Sequence, residues 1–156
     1  MFVVHFRLRK GVLAAGLATA VMLVALAFVL PGCNARQEDA PIPAATEEQR
    51  LAYLTSLGWT MDPTPVETLD LHLPQQLDGD WAAYAQLQEE QGLPFLSCAG
   101  KQVRRYTYRI SNYPGREKDV QANLYICDDQ VVGGDIMGLG ENGFQAGLAF
   151  PQQAKT

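Results

Sequence analysis

The chain has 156 residues, enough for one ordinary domain and hardly two, and 47% of them are hydrophobic, so a packed core is available. Its formal net charge is −5, and beyond residue 33 nine basic residues face 17 acidic ones, a net of −8. An acidic remainder argues against nucleic acid as the main partner, because phosphate binding needs clustered positive charge.

The first element is the run Val12–Leu30, which carries no charge and only one polar residue, Thr19. Its 19 residues would span about 28 Å as a helix, close to the hydrocarbon thickness of a bilayer. A helix satisfies its own backbone hydrogen bonds, as lipid requires. His5, Arg7, Arg9 and Lys10 stand before the run, whereas Glu38 and Asp39 follow it. This asymmetry predicts a single-pass segment with the N-terminus in the cytoplasm and the remainder outside. Two fates are open. Leu30-Pro31-Gly32-Cys33 resembles a bacterial lipobox, which makes Cys33 a candidate for lipidation after cleavage. Pro31 departs from that pattern and the apolar run exceeds a typical signal core, so a retained signal anchor is preferred. The divisions expected are a basic cytoplasmic flank over 1–10, the membrane segment over 11–31, a tether over 32–45, a domain over 46–150 and a tail over 151–156. Pro41 and Pro43 stiffen the tether toward an extended form.

Thr46-Glu47-Glu48-Gln49 has the pattern of a capping box and opens a helix over about Glu47–Leu57. Gly58 fits the position after the helix, and Trp59 is expected to fold back on the core. Val66–Leu73 alternates and predicts a half-buried strand with its leucines inward. Asp78-Gly79-Asp80 leads into a second helix, Trp81–Gln91, closed by Gly92-Leu93-Pro94. Strands are expected over Val103–Ser111, Lys118–Cys127 and Gln130–Leu139. Asp128-Asp129 supplies a tight hairpin turn without the usual glycine, and Gly133-Gly134 marks a bulge or close approach. Residues 140–156 show no periodicity. The expected fold is α+β, in the order α-β-α-β-β-β, with two amphipathic helices on one face of an antiparallel sheet of about four strands. One N-terminal transmembrane helix precedes it.

The segments LGWTMDPTPVE (Leu57–Glu67), RRYTYRISNYPG (Arg104–Gly115), NLYICDDQVVGGDI (Asn123–Ile136) and GFQAGL (Gly143–Leu148) resemble domain-of-unknown-function family 4830. This bacterial family is found mainly in gut Firmicutes, and the resemblance covers roughly 47–148. It implies a short basic N-terminus, one apolar segment, a small domain and placement on a Gram-positive surface. It carries over no catalytic residue.

Three cysteines are expected in an oxidising compartment. With Cys33 set aside, Cys98 and Cys127 are a candidate disulfide that closes a loop of about 28 residues and contributes ~3 kcal/mol. No CxxC motif is present. His72 and Asp70 share a strand face, and with Ser97 or Ser111 they form a paper triad for a small envelope hydrolase. No GxSxG elbow accompanies them. A zinc site lacks further ligands, calcium lacks a spaced donor run, and no cofactor motif is present. Gly133-Gly134-Asp135 lacks the Lys-Ser/Thr and helix of a phosphate loop. Period-two spacing puts Lys101, Arg105 and Arg109 on one strand face, a candidate anion-binding row unless Glu117 and Asp119 pair with it. The leading expectation is a non-enzymatic, membrane-tethered extracytoplasmic binding or accessory domain. Its partners are the lipid bilayer, through Val12–Leu30, and an envelope protein or anionic polymer. The hydrolase and a membrane-anchored regulatory subunit are the alternatives.

Overall fold

The computed structural model describes residues 40–116 and 118–151. The expected membrane segment Val12–Leu30, Cys33, Glu117 and most of the expected tail lie outside them. Among the described residues no helix is long and apolar enough to cross a membrane.

Helix α1 (Glu47–Ser56) is followed by strand β1 (Glu67–His72) and helix α2 (Gly79–Glu90). A 3-10 turn (Phe95–Cys98) then leads to β2 (Gln102–Ile110), β3 (Val120–Cys127), β4 (Gln130–Gly138) and β5 (Phe144–Ala146). The strands form one antiparallel sheet in the order β1-β2-β3-β4-β5. The α+β class is as expected, but the strands number five rather than four. The fifth is three residues long, too short to display a period.

Local signals explain the boundaries. Thr46 Oγ1 accepts from the Gln49 amide at 3.3 Å, and Gln49 Oε1 accepts from the Thr46 amide at 3.1 Å, completing the capping box. Gly58 takes φ +96°, and its amide and that of Trp59 reach back to Thr55 and Leu54. That is the Schellman ending, and it turns the indole of Trp59 inward, where its Nε1 donates to the Leu148 carbonyl at 2.7 Å. Between β3 and β4, Asp128 and Asp129 take φ +50° and +61°, the double left-handed turn that matches strand twist. On β4, Val131 pairs with Ile126 and Gly133 with Tyr125, so Val132 is the extra residue of a bulge.

The helices lie on opposite faces of the sheet, not together on one. Val120, Ala122, Leu124 and Ile126 of β3 pack with Leu54 of α1, Trp59 and Leu148. Tyr125 and Cys127, which point the other way, pack with Ala85 of α2, Phe95 and Cys98. Seven of the eight β3 residues are therefore buried, the pattern of a strand covered on both sides. By contrast β1 is an exposed edge strand. Leu71 and Leu73 join the core on the α2 side, whereas Leu69 remains 38% exposed, contrary to the expectation of three inward leucines.

Residues 42–44 belong to the folded domain. The Ile42 carbonyl accepts from the Val131 amide at 2.9 Å, and the Ala44 amide donates to the Asp129 carbonyl at 2.8 Å. Pro43 sits between them, bridged to Gln130, where no donor is required of it. Ala44 is wholly buried. Arg50 of α1 fastens this segment: Nε donates to the Tyr108 hydroxyl at 3.0 Å and Nη1 to the carbonyls of Ala44 and Ala45 at 2.9 and 3.2 Å. Its guanidinium lies 3.8 Å from the Tyr106 ring centre.

Candidate functional site

The α2 side of the sheet carries an unusual polar row. Register places Thr107 of β2 opposite Asn123 of β3, and Asn123 opposite Asp135 of β4. All three are buried, at 3%, 4% and 1% exposure. Thr107 Oγ1 donates to Asn123 Oδ1 at 2.8 Å, and Asn123 Nδ2 donates to Asp135 Oδ1 at 2.6 Å. Gln145 of β5 completes the row, donating from Nε2 to Asp135 Oδ2 at 2.7 Å. Buried polar groups need such partners, and four strands each supply one member.

Burial pushes the Asp135 carboxyl above its ordinary range, and the amides of Asn123 and Gln145 pull it back only in part. The Tyr84 hydroxyl of α2 is buried beside Asp135 and Tyr125, near enough to feel their charge but without hydrogen-bond geometry to either. Burial drives its own ionisation far upward, so it remains a neutral hydroxyl. Beside this group opens a cleft of about 600 Å³, lined by Asp80, Trp81, Ala83, Tyr84, Leu87 and Gln145. An indole, a phenol, a carboxylate and an amide thus share one concave surface, joined to the buried row through Gln145.

Gly133 and Gly134 let the residues on either face close onto the sheet. A Cβ at Gly133 would lie 2.8 Å from Phe95 Cδ2, and one at Gly134 would lie 2.6 Å from Leu148 Cδ1. The close approach expected at this pair is thus present on both faces of the sheet.

The residues singled out from sequence lie elsewhere. The basic row is present but neutralised: Lys101 pairs with Asp128 at 3.0 Å, Arg105 with Glu67 at 2.5 Å and Arg109 with Asp62 at 3.8 Å. These partners come from β1, the loop before it and the hairpin, not from the adjoining segment that holds Asp119. Asp70 is gripped by Arg104 at 2.6 and 3.0 Å, and that bond holds its carboxyl below the usual range. His72 stands exposed on the edge strand. The hydroxyls of Ser97 and Ser111 donate to the carbonyls of Pro94 and Thr60. No hydrogen bond links His72, Asp70 and a serine into a triad. Among the described residues no three His, Cys, Asp or Glu side chains gather as metal ligands. Cys98 and Cys127 are buried free thiols.

Sequence reasoning missed Thr107, Asn123, Asp135, Gln145 and Tyr84. Their one signal was Asn123 and Asp135 lying within strongly apolar strands, which alternation alone assigns to solvent.

No curated protein and no solved structure matches the chain. The family described as domain of unknown function (DUF4830) matches residues 53–136, more than half of the chain and all of the polar row except Gln145. The chain belongs to the DUF4830 family.

Proposed function

We propose that this chain is a non-enzymatic binding domain of the bacterial cell envelope, held on the outer side of the membrane by Val12–Leu30. The apolar run and its basic flank support the placement. The observation that carries the binding reading is the buried Thr107–Asn123–Asp135–Gln145 row, which reaches the α2 cleft through Gln145. A sheet that needed only stability would be served at these positions by apolar side chains, since polar rows gain little net energy. The row instead fixes Gln145 at the cleft wall next to an unpartnered tyrosine hydroxyl. Such a surface suits a peptide segment of another envelope protein, which offers backbone hydrogen-bonding groups and an apolar side chain for Trp81.

The test compares full-length chains in detergent-solubilised membranes by affinity capture. Ala83→Arg blocks the cleft from an exposed helix position and leaves the core alone. Capture of a partner by the wild type, lost with A83R and weakened by Q145A, is expected. Equal capture by all three refutes the cleft as the binding surface. Protease added to intact protoplasts should digest the domain and spare a small N-terminal fragment; full protection refutes the placement.

A further inference from the structure

We propose that Cys98 and Cys127 are an oxidation site, a thiol pair that a disulfide oxidant converts into one intramolecular bond as the chain folds. Cys98 closes the 3-10 turn directly before β2, and Cys127 closes β3. The β2–β3 register begins at Arg104↔Ile126, next to Val103 on β2 and Cys127 on β3. Both cysteines belong to the same apolar cluster, with Leu73, Val103 and Phe95, at 2% and 4% exposure. Burial first, and then the neighbouring Cys98, push the Cys127 thiol upward, while the Lys101 ammonium pulls it down. The Lys101 amide donates to the Cys98 carbonyl at 3.0 Å, and its ammonium is anchored by Asp128 at 3.0 Å. The turn that holds Cys98 is thus linked through Lys101 to the hairpin that follows Cys127.

The same burial dictates when the bond forms. In the folded chain the Cys127 thiol is pushed up to about 12, so its thiolate is scarce, and neither sulfur is open to a bulky reagent. Exchange is therefore fast in the partly folded chain and slow once β3 is covered. With glutathione disulfide as oxidant, one chain thiolate attacks a glutathione sulfur, forms a mixed disulfide and releases one glutathione thiolate. The second chain thiolate then attacks the chain-side sulfur and releases the second glutathione. Two chain thiols give up two protons and two electrons, and glutathione disulfide takes up both pairs. The closed bond staples the 3-10 turn, and with it Phe95, to the end of β3. Phe95 contacts Trp81, Tyr84 and Tyr125, so the staple reaches the wall of the cleft.

The experiment refolds the reduced full-length chain in detergent with a glutathione disulfide and glutathione buffer, blocks remaining thiols with N-ethylmaleimide and digests with trypsin without reduction. Lys101 and Lys118 place the two cysteines in separate peptides, 51–101 and 119–155, while Cys33 falls in a third. The expected product is peptide 51–101 linked to 119–155, lost on reduction. Recovery of both peptides singly, each blocked at its cysteine, overturns the proposal, as does linkage of either one to Cys33. The oxidised chain should also melt higher than the reduced one, by on the order of 10 °C. An oxidised chain that melts at the same temperature or lower likewise overturns it, because native geometry would then resist the bond.

Discussion

Replacing Asp135 by asparagine keeps the shape of the side chain and removes its proton. Both carboxylate oxygens accept hydrogen bonds, from Asn123 at 2.6 Å and Gln145 at 2.7 Å. In D135N one oxygen becomes an amide nitrogen and faces a donor. Gln145 is exposed and can turn to water, so the lost bond falls there and costs about 1 kcal/mol. The pH dependence is the sharper test. Burial raises the folded Asp135 above its ordinary 3.8, so the folded chain holds this proton to higher pH than the unfolded chain. In that window the unfolded state binds fewer protons, and stability falls as pH rises. The contribution is fully present below the unfolded value and is lost as pH climbs through the folded one. Each unit of difference moves relative stability by about 1.4 kcal/mol. Urea denaturation of both chains from pH 4 to 7 should show D135N less stable at pH 4, with its deficit shrinking or reversing by pH 7. A deficit that stays constant or grows with pH refutes the assignment of Asp135 as a burial-strained acid.

Three further substitutions test the frame around the site. Arg50→Met keeps the aliphatic stem but leaves the Tyr108 hydroxyl and two carbonyls without their donor, and should lower stability by about 3 kcal/mol in chemical denaturation. Gly134→Ala sets a Cβ 2.8 Å from the Asn123 carbonyl oxygen as well as against Leu148, and should cost roughly 1–3 kcal/mol; an unchanged midpoint would show that the Leu148 segment yields freely. Asp129→Gly relieves a left-handed residue at φ +61° and should raise the urea midpoint by about 0.5 kcal/mol equivalent, with no change in slope.

Signals that act within a few residues were legible. The capping box, Gly58 and the Asp-Asp turn depend on hydrogen bonds and backbone angles that local sequence determines. What was hidden depends on which surface covers which. Tyr125 and Cys127 alternate with Leu124 and Ile126, so period two alone assigns them outward; only α2, from another part of the chain, makes that side a second core. Asn123 and Asp135 were invisible for the same reason, since a polar residue on an uncovered face needs no explanation and on a covered face it does. Ile42–Ala44 read as tether because prolines signal extended chain equally well in a linker and along a sheet edge. The basic row was found by spacing, but its partners arrived from β1 and the hairpin, whose proximity no spacing rule encodes.

The pairing of Ile42 and Ala44 with the start of β4 also decides how the domain responds to mechanical load. Tension applied to the chain ahead of residue 40 meets the two hydrogen bonds to Val131 and Asp129 before it meets α1. Those bonds must yield before Arg50 is stripped from its carbonyl acceptors and the helix begins to unwind. A pull on that end of the chain is thus delivered to the β3–β4 hairpin, where neighbouring strands share the strain.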